Sequence, residues 1–219
     1  MTSVSQESQP TSSNPHLLRN ALVFIAIALV AYLATRAATG TLTFGSTQLH
    51  GFPLTEPAPM TNFSLTTDHG EPFSLYDMRG KVVLLYFGYT FCPDVCPTTL
   101  ADLTKARNSI KEKYRDDVQV LMVTVDPERD TPEVMANYLS YFDESYIGLV
   151  GSADEIAAAA APIGIFYEKR EVEGASGYLM DHTATVGLID KRGRLRTLYP
   201  FNSDPAEIAS DLTLLAREK

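Results

Sequence analysis

The sequence predicts one α/β domain with a mainly parallel sheet, set behind a single apolar helix. Three observations carry this expectation. Residues 81–87 and 118–125 are continuous apolar, β-branched runs of the kind that suits strands buried on both faces. Segments with helical spacing and helix-cap signals alternate with them, as in a sheet covered by helices. Near the amino end, one long apolar stretch has polar neighbours on both sides and no evident packing partner. Composition agrees. The 219 residues suffice for one ordinary domain and an appendage, and 45% hydrophobic with 21% charged residues argues against disorder. With 18 Lys and Arg against 27 Asp and Glu, the net charge is −9, so no basic footprint for nucleic acid is expected. Two Cys exclude a disulfide-dense mini-protein and a four-cysteine zinc ribbon.

Residues 1–16 are rich in Ser, Thr, Gln and Pro and read as a disordered tail. Residues 17–36 read as an uncleaved transmembrane signal anchor. Sixteen uncharged residues separate Arg19 from Arg36. As a helix they cover about 24 Å, short of a hydrocarbon core of about 30 Å. The Arg stems can extend that reach, and Tyr32 suits an interface. A cleaved signal is disfavoured because Thr35-Arg36-Ala37 puts a bulky charge inside the small-residue site. A mitochondrial presequence is disfavoured by Glu7 and by the lack of any Arg before Arg19, so a bacterial plasma membrane is the expected location. Flanking charge is nearly balanced and does not set the orientation. Residues 37–60, rich in Thr, Gly and Pro, read as a tether, and residues 61–219 as the domain.

Within the domain, residues 62–65 and 72–75 flank His69-Gly70 as a hairpin. The strand at 81–87 precedes a helix predicted over 97–114, with Leu100, Leu103, Ile110 and Tyr114 on one face. The strand at 118–125 precedes a helix capped by Thr131 with Pro132 at its first position. A short strand at 148–150 leads to Ser152 and Glu155, a capping box ahead of a helix that Pro162 stops. Residues 184–189 and 195–199 form a closing hairpin, and Asp204 caps a last helix with Ile208, Leu212 and Leu215 inward. This order suggests a thioredoxin-like arrangement.

Both cysteines lie in Phe91-Cys92-Pro93-Asp94-Val95-Cys96-Pro97, between the first buried strand and its helix. Sites in open α/β sheets form at such strand ends, and a nearby helix amino end favours thiolate. The spacing fits a structural disulfide, a redox pair or a two-thiolate metal site, and does not choose among them. Soft thiolates select copper(I), and an added imidazole suits either copper oxidation state. Of the four His, His16 precedes the apolar stretch, His50 lies in the tether and His69 in a turn. His182 sits just before a predicted central strand, which the thioredoxin-like topology places beside the cysteine turn.

The segment 87–100 resembles the signature of the Sco/SenC copper-chaperone family. Val123-Thr124-Val125-Asp126-Pro127-Glu128-Arg129-Asp130-Thr131-Pro132 is similar to its second motif, and Asp181-His182-Thr183 to its third. The resemblance runs from about residue 59 to the carboxyl end and includes the preceding single anchor. It implies copper held by Cys92, Cys96 and His182 in a periplasmic or intermembrane-space domain. It also implies an upstream copper donor, and delivery to, or maturation of, the dinuclear copper centre of a cytochrome c oxidase subunit. Asp126 and Asp130 match acidic positions of the family, and Asp181 is a candidate to orient His182. Each of the three is equally compatible with a local structural role. On this reading the chain is a carrier and not an enzyme. The alternative is a thiol-disulfide reductase acting on the oxidase cysteines, and a peroxiredoxin-type peroxidase is a third class that would not need His182. Two departures weigh against general thioredoxin activity. Three residues separate the cysteines, and His182-Thr183-Ala184 stands where thioredoxins place a Pro.

Overall fold

The structure, a computed structural model, describes residues 15–38, 49–171 and 177–218. The chain divides into two units, 1–47 and 48–219. In the first, helix α1 spans Pro15–Ala38, and Leu22, Phe24, Ile25 and Val30 on it are exposed. Among the described residues no helix is long and apolar enough to cross a membrane. The membrane-crossing expectation for 17–36 is therefore met only as a helix. Its physical weakness is the one visible in the sequence, a charge at each end of a sixteen-residue uncharged stretch. Residues 1–14 of the predicted tail 1–16 and residues 39–48 of the predicted tether lie outside the described residues, while Pro15 and His16 begin α1.

The second unit is built on an eight-stranded mixed sheet. Its strands are β1 (Phe52–Pro59), β2 (Ser64–Thr67), β3 (Pro72–Ser74), β4 (Val82–Gly88), β5 (Val118–Thr124), β6 (Ile147–Val150), β9 (Val186–Ile189) and β10 (Arg194–Tyr199). Among the described residues, strands β7 (Tyr167–Glu171) and β8 (Tyr178–His182) pair only with each other. The order in the large sheet is β1-β10-β9-β4-β5-β6-β2-β3. Only β4-β5-β6 is parallel, so the sheet is less parallel than the sequence suggests. Antiparallel β9, β10 and β1 extend one side, and β2 and β3 the other. The helices are α2 (Val95–Ser109), α3 (Pro132–Ser140), α4 (Ala153–Ala160) and α5 (Pro205–Arg217). Helices α2 and α5 pack together, α5 also lies on β4, and α3 packs on β6.

All seven residues of β4 and of β5 are buried, as expected for strands with both faces covered. Each large apolar side chain removed from water there contributes about 1.5–3 kcal/mol. The caps read from the sequence are present. Thr131 accepts from Val134 N–H, Ser152 and Glu155 form a reciprocal capping box, and Asp204 accepts from Ala206 N–H. Helix α2 is shorter than predicted, ending at Ser109 before a separate single turn at Glu112–Tyr114.

Three strands, β1, β7 and β8, were not expected. Strand β1 lies within the segment read as tether. Its prolines 53, 57 and 59 cannot donate to a ladder, which is why the segment reads as linker. At the sheet edge, beside β10 alone, that loss is tolerated. His50, just before β1, is also fixed to the domain. The Asp211 carboxylate, 2% exposed, accepts from His50 N–H at 2.8 Å and from the Tyr199 hydroxyl at 2.6 Å, and lies 2.7 Å from His50 Nδ1.

The hydrogen bond and charge of Asp211 raise the His50 pKa above its ordinary 6.5. The folded state thus binds a proton more tightly than the unfolded chain. The resulting stability is full below 6.5 and is lost as pH rises through the raised value. The thermal midpoint of the wild type is expected to fall on passing from about pH 6 to about pH 8 more than that of His50→Gln. Parallel curves for the two would show that the pair contributes nothing to this dependence. The effect is modest, because the His50 side chain is 40% exposed.

Candidate metal centre

Strand β4 ends at Gly88, and the chain turns through 89–94 into α2. Cys92 lies in the turn, half-buried, and Cys96 in the first turn of the helix, wholly buried. Asp94 occupies the N-cap position but makes no side-chain cap. Instead Cys96 N–H points at Cys92 Sγ, 3.4 Å away, so a sulfur takes a place usually filled by a capping oxygen. His182 arrives from the end of β8, 86 residues after Cys96, and its Nε2 lies 3.5 Å from Cys96 Sγ. The two sulfurs and an imidazole nitrogen lie within 4.8 Å of one another.

Two tyrosines hold this arrangement. The Tyr86 hydroxyl, on β4, donates to Cys96 Sγ at 3.3 Å. The rings of Tyr86 and Tyr89 meet the His182 ring edge-on, with centroids 6.2 and 5.9 Å away. Gly88 makes room between them. A Cβ there would lie 2.7 Å from the Tyr86 ring and 3.0 Å from Cys96 Sγ. Gly88→Ala is expected to destabilise the domain by about 1–3 kcal/mol through overpacking. It should also displace the Cys96 sulfur. Chemical denaturation and thiol reactivity check this, and a variant as stable as the wild type with unchanged Cys96 reactivity would refute it.

The thiols differ. A hydrogen bond from Cys96 holds the Cys92 pKa down at about 3, with His182 and the backbone N–H groups of Cys96 and Asp94 assisting against partial burial. Burial pushes Cys96 the other way, and the neighbouring Cys92 adds to it. Burial likewise pushes Tyr89 up to about 12 and keeps Tyr86 protonated as a donor. The opposed directions favour ionisation at Cys92 over Cys96.

The three candidate carboxylates do not join the sulfurs. Asp130, 2% exposed, accepts from Thr90 N–H at 3.1 Å, Thr90 Oγ1 at 2.6 Å and Thr124 Oγ1 at 2.7 Å, which pins the cysteine turn to the end of β5. Asp126 pairs with Arg129 and accepts from the Tyr178 hydroxyl at 2.8 Å. Asp181 was the candidate to orient His182, and the structure places it elsewhere. Consecutive strand residues project to opposite faces. Asp181 pairs with Arg170 at 2.7 Å, while His182 Nδ1 lies 3.3 Å from the Thr183 carbonyl oxygen. His50 is engaged by Asp211, and His69 sits in an exposed turn. The sequence reading did not single out Tyr86, Tyr89 or Arg129. The aromatic residues of Tyr86-Phe87-Gly88-Tyr89 at a strand end next to cysteine were the available signal.

Cys92 and His182 open on a cleft also lined by Tyr89, Pro93, Leu179 and Met180. Two thiolates and one imidazole are soft donors that select copper(I). Three donors at about 2.3 Å for sulfur and about 2.1 Å for nitrogen stand about 4 Å apart around one trigonal ion. The observed spread, within 4.8 Å, needs a contraction of under about 1 Å. A closed zinc site would call for a fourth protein ligand, and none joins the group among the described residues.

Fold and site together define a thioredoxin-like protein with a Cys-Cys-His cluster at the carboxyl end of its central strand. The SCO1/SenC family model matches residues 54–217, and the chain belongs to that family. It is 34% identical over 148 residues to the SCO2-like protein of Rickettsia felis, an alignment covering 67% of this chain and 72% of that one. It is 36% identical over 143 residues to the mitochondrial protein SCO2 of Saccharomyces cerevisiae, covering 65% of this chain and 48% of that longer protein. Among solved structures, ScoI of Bradyrhizobium japonicum with copper bound is 38% identical. The match has a TM-score of 0.66 and covers 72% of this chain and 99% of that one.

Proposed function

We propose that this chain is a membrane-attached copper carrier. In this reading it holds copper on Cys92, Cys96 and His182, and delivers it to, or matures, the dinuclear copper centre of cytochrome c oxidase. The observation that carries the reading is the convergence of three soft donor atoms within 4.8 Å from two distant parts of the chain. The copper-bound ScoI relative supports it. Ionisation is favoured at Cys92, and binding copper(I) as two thiolates displaces the proton the pair retains. His182 completes the site. Transfer proceeds by exchange with the thiolates of an upstream donor or a receiving subunit, because copper(I) tolerates two or three ligands. Oxidation of the pair to a disulfide removes both thiolates, so loading and oxidation exclude each other.

Helix α1, with its exposed Leu, Ile, Val and Phe side chains, attaches the chain to a bacterial plasma membrane with the domain in the periplasm. That attachment confines the search for a partner to the membrane plane. A carboxyl-terminal reporter active only in the cytoplasm would overturn this topology.

The test of the carrier function is anaerobic titration of the reduced protein with copper(I) against a chromophoric chelator. One copper per chain is expected, with binding lost on Cys92→Ser or Cys96→Ser. Failure to compete for copper, or binding indifferent to either cysteine, would overturn it. The contrast between an ionised, half-exposed Cys92 and a shielded Cys96 favours a second reading as thiol-disulfide reductase of the oxidase cysteines. A reductase loses activity with Cys92→Ser and keeps most of it with His182→Ala, whereas a carrier is impaired by both.

A further inference from the structure

The geometry points to Arg129 as the positioning residue that sets the distance between His182 and the two sulfurs, an inference that rests on the copper-carrier reading. The site is assembled from two pieces that share no ladder. The cysteines follow β4 of the large sheet, whereas His182 ends β8, which pairs only with β7. Beyond the three-residue link from His182 to β9, where Val186 pairs with Tyr86 of β4, the small sheet is held by side-chain contacts.

Arg129, in the turn after β5, stands between the two pieces, with its side chain 14% exposed. On one side its guanidinium carbon lies 4.7 Å from the ring centroid of Phe91, the residue before Cys92. On the other it lies 3.7 Å from the ring centroid of Tyr178, the first residue of the strand that ends at His182. It also lies 5.8 Å from the ring of Tyr89, the residue that packs edge-on against His182. Arg129 further donates to the Tyr178 carbonyl oxygen at 3.1 Å. Asp126 fixes the guanidinium from behind and accepts from the Tyr178 hydroxyl as well.

A planar cation gripped by a carboxylate and stacked by two aromatic rings is a rigid strut, which lysine cannot reproduce. The small sheet has other ties. The Lys169–Glu128 pair is exposed and weak by nature. The Met180 backbone also hydrogen-bonds to Tyr89. Arg129 and Tyr89 are the ties that touch both the cysteine turn and the histidine strand, and Arg129 is the one that also bridges to Asp126 after β5.

The test compares the full chain with Arg129→Lys, Phe91→Ala, His182→Ala and the Arg129→Lys/His182→Ala double variant. Copper(I) affinity is read by chelator competition, and amide hydrogen exchange is read on the metal-free protein. Arg129→Lys keeps a cation beside Asp126 and is expected to weaken copper about tenfold, as outer partners of metal ligands do. Phe91→Ala, at a partly exposed ring, should act in the same direction. The double variant should be no weaker than His182→Ala alone, because the strut works through the histidine. Amides of β8 should exchange faster in both Arg129→Lys and Phe91→Ala, with those of β4 and β5 unchanged. Additive losses in the double variant, or unchanged affinity and exchange in the singles, would overturn the proposal. If Arg129→Lys fails to fold, Phe91→Ala decides by the same readouts. If the wild type holds no copper the carrier reading falls, and exchange at β8 then decides separately whether Arg129 fixes the strand.

Discussion

Replacing His182 by Ala lowers copper affinity by more than about 100-fold, the upper range for losing a mere outer partner of a ligand. The side chain is half-buried at the end of a two-stranded sheet and meets Tyr86, Tyr89 and Cys96. The Cys92 thiolate loses His182 as a partner but keeps Cys96 and the backbone N–H groups of Cys96 and Asp94, so the domain should keep its thermal midpoint. Both thiols also stay in place, with Cys96 N–H still directed at Cys92 Sγ. The expected result is a folded protein with two titratable thiols and a sharply weakened site. Chelator competition and a thiol count on the same sample measure both halves. An affinity equal to that of the wild type would strike His182 from the ligand set.

Asp130→Ala produces the second large effect, on stability first. Its carboxylate receives three hydrogen bonds in a buried position, two from Thr90 and one from Thr124. Leaving a buried donor without its acceptor costs about 1–3 kcal/mol, so the variant should lose about 3–5 kcal/mol in urea denaturation. Thr90 stands two residues before Cys92, so the cysteine turn loosens and copper affinity falls with stability. Asp130→Asn should cost clearly less. Burial raises the Asp130 pKa, so the charged form is the disfavoured one in the fold. The stability tied to this group is full below 3.8 and declines as pH rises through the raised value. The amide keeps an acceptor oxygen and removes the buried charge. Equal losses for Ala and Asn would show that the hydrogen bonds to Thr90 and Thr124 carry little.

Much of this protein is legible in local pattern. Strands β4 and β5 declare themselves because a strand buried on both faces must be apolar at every position. The caps at Thr131, Ser152 and Asp204 are visible because a helix start needs an acceptor within three residues in sequence. The cysteine pair is visible because only three residues separate its members, at the junction of a buried strand and a helix. What escaped was non-local or ambiguous. Strand β1 hides behind three prolines that only an edge position can accommodate. Strands β7 and β8 carry mostly polar or half-buried residues, because they lie off the main sheet and meet its core through Tyr167 and Met180 without entering it. Asp181 looks like a partner for His182 by adjacency, yet strand geometry turns neighbours to opposite faces.

By itself, the sequence determined which donor chemistry the chain carries, where its buried strands run and where most of its helices begin, since these follow from residue type and short-range spacing. Only the tertiary structure decided that His182 closes on the sulfurs, that Tyr86 donates to Cys96, and that Arg129 lies between two rings from separate elements. Those contacts join residues tens of positions apart. Their distances are set by how a small, separate sheet docks on a large one, and no local pattern encodes that docking.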